Sequence, residues 1–409
     1  MEKDVLVLIK ISHKEMSITA IEKINSYNIE IFSDKKIPGD LSSSIEFVKK
    51  SIERIEELIV AKINEVSVIF DATSSAKINQ KLISENISNL DNELISKKHF
   101  KNALEKVKQY YEDNKLKDVV PILFQPFQFN ITDQDENEKT YYELPVGKKA
   151  KKIETLFSVT TLKKNHYESI LYICKKSGLK ISQIYSSSNV SPYILEKDQT
   201  KNVSITLQVE KYYSNLIISN NGVTVVTKNL KYTFEDLCNK VATEFRVSKK
   251  LVHDLIITEG IITKDNEELS RIIFHKKNMY IRASQLTSII KSFIKTLIEE
   301  IDEFIKIKHE ALKNYTLNVI GRLEKIGKME EYCQSILPNN KICVNNRPIN
   351  YLLLEYNNRP IFGLTKLLEN SYKKINNNIN VNTKSNVVIQ KGWMKPLYKK
   401  NIPSTAKPN

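Results

Sequence analysis

Between Val5 and Phe70 the apolar residues switch from strand spacing to helical spacing and back, and that switch limits the chain to folds that mix sheet and helix. Val5–Ile11, Ser17–Ile21 and Ile29–Phe32 run apolar or alternate, as strands do. Ile45, Val48, Ile52, Ile55, Leu58 and Ile59 then recur on one helical face, behind Ser43 and Glu46, which have the form of a capping box. Val66–Phe70 returns to the strand pattern. A hairpin-rich sheet crossed by a helix is an α/β start. A second hairpin is expected at Ser204–Gly222 (SITLQVEKYYSNLIISNNG), closing on an Asn-Asn-Gly turn.

Between these hairpins the texture changes. Lys101–Tyr111 reads as a helix, Val119–Asn130 as an apolar run broken by Pro121 and Pro126, and Asp133–Thr140 as a polar loop. A strand ending near Thr161, a helix over Lys164–Lys176 stopped at Gly178, and a strand over Ile181–Tyr185 fit a small inserted domain. After the second hairpin, helices are expected at Phe234–Phe245 and Ser284–Lys313, a buried strand at Leu317–Ile320, and short helices at Gly327–Ile336 and Pro360–Glu369. Beyond Ser371 the chain is rich in Asn and Lys and reads as a disordered linker.

Composition narrows the chemistry. Nine glycines in 409 residues, none adjacent to another, leave no GxGxxG and no GxxxxGK[ST]. Backbone that wraps a phosphate needs the close approach and positive φ that glycine allows. The four cysteines (Cys174, Cys238, Cys333, Cys343) and six histidines are scattered, with no CxxC, HxxH or HExxH, so neither disulfides nor a metal enzyme is expected, and the cysteines fit a reducing cytosol. No apolar run is long enough to cross a membrane. A net charge of +15 suits an anionic partner, either nucleic acid, lipid or an acidic peptide, or reflects only an AT-rich genome. No nucleic-acid reader motif is present.

Five stretches, in order, carry a resemblance. They are Met16–Glu22 (MSITAIE), Glu143–Thr160 (ELPVGKKAKKIETLFSVT), Lys175–Ile184 (KKSGLKISQI), the hairpin Ser204–Gly222, and Leu317–Glu331 (LNVIGRLEKIGKMEE). Together they resemble FtsA, the actin-like protein of bacterial cell division, over nearly the whole chain. The resemblance implies a two-lobed actin-like (ribonuclease H-like) α/β fold with a small α/β insertion in place of actin subdomain 1B. In that scheme residues 1–77 begin subdomain 1A and 78–186 form the inserted 1C (SHS2-like) subdomain. Residues 187–234 begin lobe 2, 235–315 are 2B-like, 316–370 end lobe 2 with a return helix, and 371–409 are linker and membrane tail. PilM, of pilus assembly, shares the fold and the insertion.

The departures from FtsA fall on the nucleotide motifs. Lys10, Ser12 and His13 stand where the first phosphate turn has Asp, Gly and Thr or Ser. In the second, the family's Asp-Ile-Gly-Gly-Gly-Thr-Thr-Asp matches Gln208, Val209, Glu210, Lys211, Tyr212, Tyr213, Ser214 and Asn215. Both carboxylates have become amides and all three glycines are bulky. Phe234 falls at a small glycine position, His253 and Ile256 near the adenosine-side Glu and Lys, and of the last glycine pair only Gly321 remains, followed by Arg322. Glu210 repels phosphate, Tyr212 and Phe234 fill space, and Lys10 and Lys211 are placed to pair with Glu210 and close the cleft from within. The expectation is a pseudo-ATPase with no cofactor. The alternatives are an FtsA that binds ATP and Mg, a PilM-like assembly protein, and a nucleic-acid-binding protein unrelated to actin.

The resemblance also implies partners: self-association and filament formation, the FtsZ C-terminal peptide, and an anionic membrane on the cytoplasmic face at the division site. Lys291 and Lys295, one helical turn apart, are candidates for that peptide's carboxylates, and the family's peptide-binding Arg falls on Phe293. The tail sets Ile389, Trp393, Met394, Leu397 and Tyr398 among Lys391, Lys395 and Lys399, a composition for an anionic interface, although Pro396 interrupts any helix there. Lys148, Lys149, Lys151 and Lys152 form a basic cluster in the insertion, read as a solvated loop or a protomer contact.

Overall fold

The computed structural model describes residues 5–344 except 13–14, 25–26, 38, 72–75, 88–93, 115–117, 196–202, 264, 277–278 and 309–314, and beyond 344 only Gly363, Leu364 and Leu367. Two five-stranded sheets with one strand order build its two lobes. In the first, β1 (Val5–Ile11), β2 (Met16–Ile24), β3 (Tyr27–Lys36), β4 (Glu65–Phe70) and β9 (Lys180–Ser186) lie in the order β3-β2-β1-β4-β9. In the second, β10 (Val203–Val209), β11 (Ser214–Asn220), β12 (Val223–Asn229), β15 (Thr316–Gly321) and β16 (Lys341–Val344) lie in the order β12-β11-β10-β15-β16. In each, three strands run antiparallel through hairpins and two more add in parallel. The parallel pairs need crossovers, which is why the strand pattern gives way to helix between β3 and β4.

Helix α1 (Leu41–Ile59) makes the first crossover, burying Phe47, Val48, Ile52, Ile55 and Ile59 in the first lobe's core. Each such side chain stabilises by about 1.5–3 kcal/mol. Its cap differs from the expected box led by Ser43. Asp40 is the N-cap, its carboxylate accepting from the Ser43 N–H at 2.8 Å, because an Asp side chain reaches the third amide as well as Ser does.

The insertion is a four-stranded antiparallel sheet, ordered β5-β8-β6-β7, of β5 (Ala76–Asn86), β6 (Val119–Thr132), β7 (Glu138–Tyr141) and β8 (Lys152–Lys163). Helix α2 (Lys97–Asp113) packs Phe100 and Val107 against Phe129, Ile153 and Phe157. Pro121 and Pro126 sit at the two register shifts of β6, where a missing N–H costs no ladder bond. The stretch expected as a loop over Asp133–Thr140 instead closes a hairpin, with β7 beginning at Glu138.

Helix α3 (Lys164–Lys176) returns the chain to the first lobe and stops as expected at Gly178, whose φ is +78°. The short helix α4 (Ser187–Val190) carries it to the second lobe. There α5 (Phe234–Phe245), α6 (Lys249–Glu259), α7 (Asn266–Ser270), the hairpin β13 (Ile272–Lys276) and β14 (Met279–Arg282), α8 (Ala283–Lys308) and α9 (Met329–Ile336) follow. The apolar stripe of α8, from Leu286 through Ile294 to Ile305, lies in the second core. Leu364 and Leu367 then drop back into the first core, so the chain crosses the lobes again near its end.

Candidate functional site

The two lobes meet where their hairpins end. Parallel pairing of β1 with β4 sets Lys10 beside Ile69, and the Asp71 N–H donates to the Ile11 carbonyl at 2.9 Å. The Lys10 ammonium lies 3.3 Å from the Asp71 carboxylate, whose side chain is 3% exposed. In the second lobe, β10 ends at Val209, and the Glu210 N–H donates to the Tyr213 carbonyl at 2.8 Å, closing a turn over Lys211 and Tyr212. The Tyr213 hydroxyl reaches across the lobes and donates to Asp71 Oδ1 at 3.2 Å. The Gln208 amide donates to Tyr213 Oη at 3.2 Å and to Glu210 Oε1 at 3.4 Å, and its own oxygen accepts from Ser191 Oγ at 3.0 Å.

The electrostatics follow from this enclosure. Loss of water pushes the Glu210 carboxyl above the usual carboxylate range, with Asp71 adding to the rise and Lys10 and Arg322 opposing it. Burial works against the charge on Lys10, but Asp71 and Glu210 outweigh it and hold the ammonium above its usual value. Burial, with the charges of Asp71 and Glu210, drives the Tyr213 hydroxyl far above its usual range, so it stays a donor. Lys10 and Arg322 thus stand against the Asp71 and Glu210 carboxyls between the hairpins. An incoming polyphosphate would meet two carboxylates there, and among the described residues no group of three His, Cys, Asp or Glu side chains is arranged to hold a metal.

Helix α5 closes the site further. A helix N-terminus offers orphan amides to an anion. Here the Phe234 and Glu235 N–H groups donate to the Glu210 and Lys211 carbonyls at 3.1 and 2.9 Å, and Thr233 and Asp236 cap each other. Phe234 is fully buried and meets His253 edge to face, with ring centroids 5.7 Å apart. Gly321 pairs with Val209 at φ +94°, where a Cβ would lie 2.3 Å from the Val209 carbonyl oxygen, so only glycine fits. Its N–H donates to Glu324 Oε1 at 2.6 Å.

The structure therefore brings together Lys10, Gln208, Glu210, Gly321 and Arg322, and beside them Phe234 and His253. Asn215 is buried opposite Gln208 in the ladder. Ser12 serves its own turn, donating to the Glu15 carbonyl at 2.8 Å and accepting the Glu15 N–H at 2.9 Å. His13 lies outside the described residues. Lys211 departs from expectation, since its ammonium stands 4.8 Å from the exposed Tyr212 ring, not on Glu210. The Lys291 ammonium donates to the Thr263 carbonyl at 3.3 Å. Lys295 is exposed and pairs with Glu299, and Phe293 is core. In the basic cluster Lys151 pairs with Glu136 and Lys152 with Glu154, leaving Lys148 and Lys149 exposed. Ile389, Lys391, Trp393, Met394, Lys395, Leu397, Tyr398 and Lys399 lie outside the described residues. Sequence reasoning missed Asp71 and Tyr213. The signal for Asp71 was a lone acid ending the apolar strand EVSVIF.

No family description matches the sequence, and no curated protein matches it. The structure does have solved neighbours. A chain of a PilM–PilN type IV pilus biogenesis complex superposes with a TM-score of 0.54 at 11% identity, over 90% of this chain and 98% of its own. The fold is actin-like. MreB5 of Spiroplasma citri bound to ADP aligns at 0.47 and 11% identity, over 91% and 98% of the two chains. EutJ of Carboxydothermus hydrogenoformans aligns at 0.42 and 9%, over 84% and 86%.

Proposed function

We propose that this protein is an actin-like assembly scaffold that works without hydrolysing ATP. The observation that carries the reading is the cluster of Lys10, Asp71, Glu210 and Tyr213, which ties the two hairpins together across the lobes. Phosphoryl transfer depends on a metal and on backbone amides aimed at phosphate. Here those amides on α5 serve the Glu210–Tyr213 turn instead. In its finer form, drawn from the FtsA resemblance, the scaffold tethers FtsZ filaments to the cytoplasmic face of the membrane at the division site. Its tail is the anchor, and self-association gives weak individual contacts their strength. Lys291 and Lys295 are then the lysines offered to the acidic peptide, each exchanging an internal partner, Thr263 or Glu299, for its carboxylates. A PilM-like role with a pilus-assembly partner is the second reading, favoured by the near-complete superposition on the chain of the PilM–PilN complex.

Phosphate release from Mg-ATP, measured with the full chain, tests the shared part of both readings. Release at the buffer rate is expected, and turnover above it overturns the proposal. Flotation on anionic vesicles, with FtsZ or its C-terminal peptide added, tests the finer part. Co-flotation of FtsZ supports the tether, and flotation of neither protein removes it.

A further inference from the structure

The cleft cluster does not stop at the hairpins. It continues along an unbroken polar path through α4, the joint between the lobes. The Tyr213 hydroxyl is hydrogen-bonded to Ser187. Ser191 Oγ, which donates to Gln208, also lies 2.8 Å from the Ser187 carbonyl. Asn189 accepts the Ser186 N–H at 3.1 Å and donates to Thr160 Oγ1, in the insertion, at 2.9 Å. The Ser188 carbonyl accepts from Thr224 Oγ1, on the edge strand of the second lobe, at 2.6 Å. The Thr224 carbonyl in turn accepts from Ser158 Oγ of the insertion. Ser187, Ser188, Asn189, Ser191, Thr160 and Thr224 are all buried. A joint that only needed to be sticky would be apolar. A buried polar joint is favourable in one arrangement and costly in every other.

We propose that these groups form a built-in latch, in which Tyr213 and Asp71 fasten the two lobes and the serines and Asn189 of α4 hold the insertion in register with both. The inference rests on the reading that the cleft takes no nucleotide, because the latch occupies the position from which a nucleotide would bridge the hairpins. Phe127 adds to the brace, since it leaves the insertion to join the second lobe's core, and Gln80 Nε2 donates to the Val225 carbonyl at 3.3 Å. The chain thus acts as its own closing ligand, and its lobes keep one juxtaposition without an effector.

The test uses the full chain with spin labels on the exposed positions Lys50→Cys and Lys306→Cys, in a Cys343→Ser background, with Mg-ATP present or absent. The parent is expected to show one narrow distance distribution that Mg-ATP leaves unchanged. Tyr213→Phe, which removes the hydroxyl that meets Asp71 and Gln208, is expected to broaden it and to speed amide exchange over Gln208–Tyr213 by at least about fivefold, the change for one hydrogen bond of about 1 kcal/mol. Asp71→Asn should broaden it further, and if that variant does not fold, Tyr213→Phe decides alone. Folded Tyr213→Phe with unchanged distances and unchanged exchange overturns the latch. A distribution that Mg-ATP narrows in the parent overturns instead the reading of the cleft as closed to nucleotide.

Discussion

The two hairpins that face the cleft share a strand order but not a way of ending. In the first lobe the turn after β1 closes on itself, with Ser12 and Glu15 exchanging bonds, and the lobe reaches the cleft through strand-end residues, Lys10 and Asp71. In the second lobe the turn itself is the working part. Glu210 and Tyr213 enter the cleft, and the Glu210 and Lys211 carbonyls anchor helix α5. A repeated fold has been used asymmetrically: one lobe presents an ion pair and the other wraps it.

Substitutions can break that comparison in descending order of effect. Phe234→Ala removes a fully buried ring under the second turn and should cost about 3–5 kcal/mol in urea unfolding. No equivalent damage is expected at the first turn. Lys10→Met strips the cation from two carboxylates and should cost about 3 kcal/mol, the scale of breaking a buried pair, unless Glu210 then takes up a proton, which would appear as recovered stability at low pH.

Alkaline titration separates the lobes next. Stability from Lys10 is intact below its ordinary 10.5 and fades as pH rises beyond it, because the folded value is raised. Tyr213 acts in the same direction: the unfolded hydroxyl ionises near 10.0 while the folded one resists, so stability falls above that point. Urea midpoints from about pH 8 to about pH 11 should therefore decline, beginning near pH 9 where the buried Cys174, Cys238 and Cys333 thiols resist ionising, and less steeply in Tyr213→Phe, which lacks the Tyr213 part. The smallest effect is expected from Lys211→Ala, within about 0.5 kcal/mol, since its ammonium lies over an exposed ring. A large loss there would restore the pairing with Glu210 that the sequence suggested.

What could be read beforehand was what local chemistry decides. The alternating runs of β1 and β4, the stop of α3 at Gly178, the stripe of α8 and the Asn221–Gly222 turn, with φ of +47° and +81°, all follow from spacing and backbone freedom. The loss of phosphate-turn glycines could be read for the same reason. The partners of the residues that replaced them could not. Asp71 and Tyr213 are 142 positions apart, and only the meeting of two lobes places them together. The cap at Asp40 and the hairpin at Glu138 were missed because Asp and Ser cap alike and a short polar strand has no apolar period.

The central claim is that the cleft is held shut by its own side chains. Thermal unfolding of the full chain, titrated with Mg-ATP to millimolar concentration, tests it most directly. A ligand that binds only the native state stabilises by about 2.7 kcal/mol at a hundred times its Kd, which moves the midpoint by several degrees. No movement is the expected result. A rise of several degrees that saturates with ATP would contradict the account and make the cleft a nucleotide site.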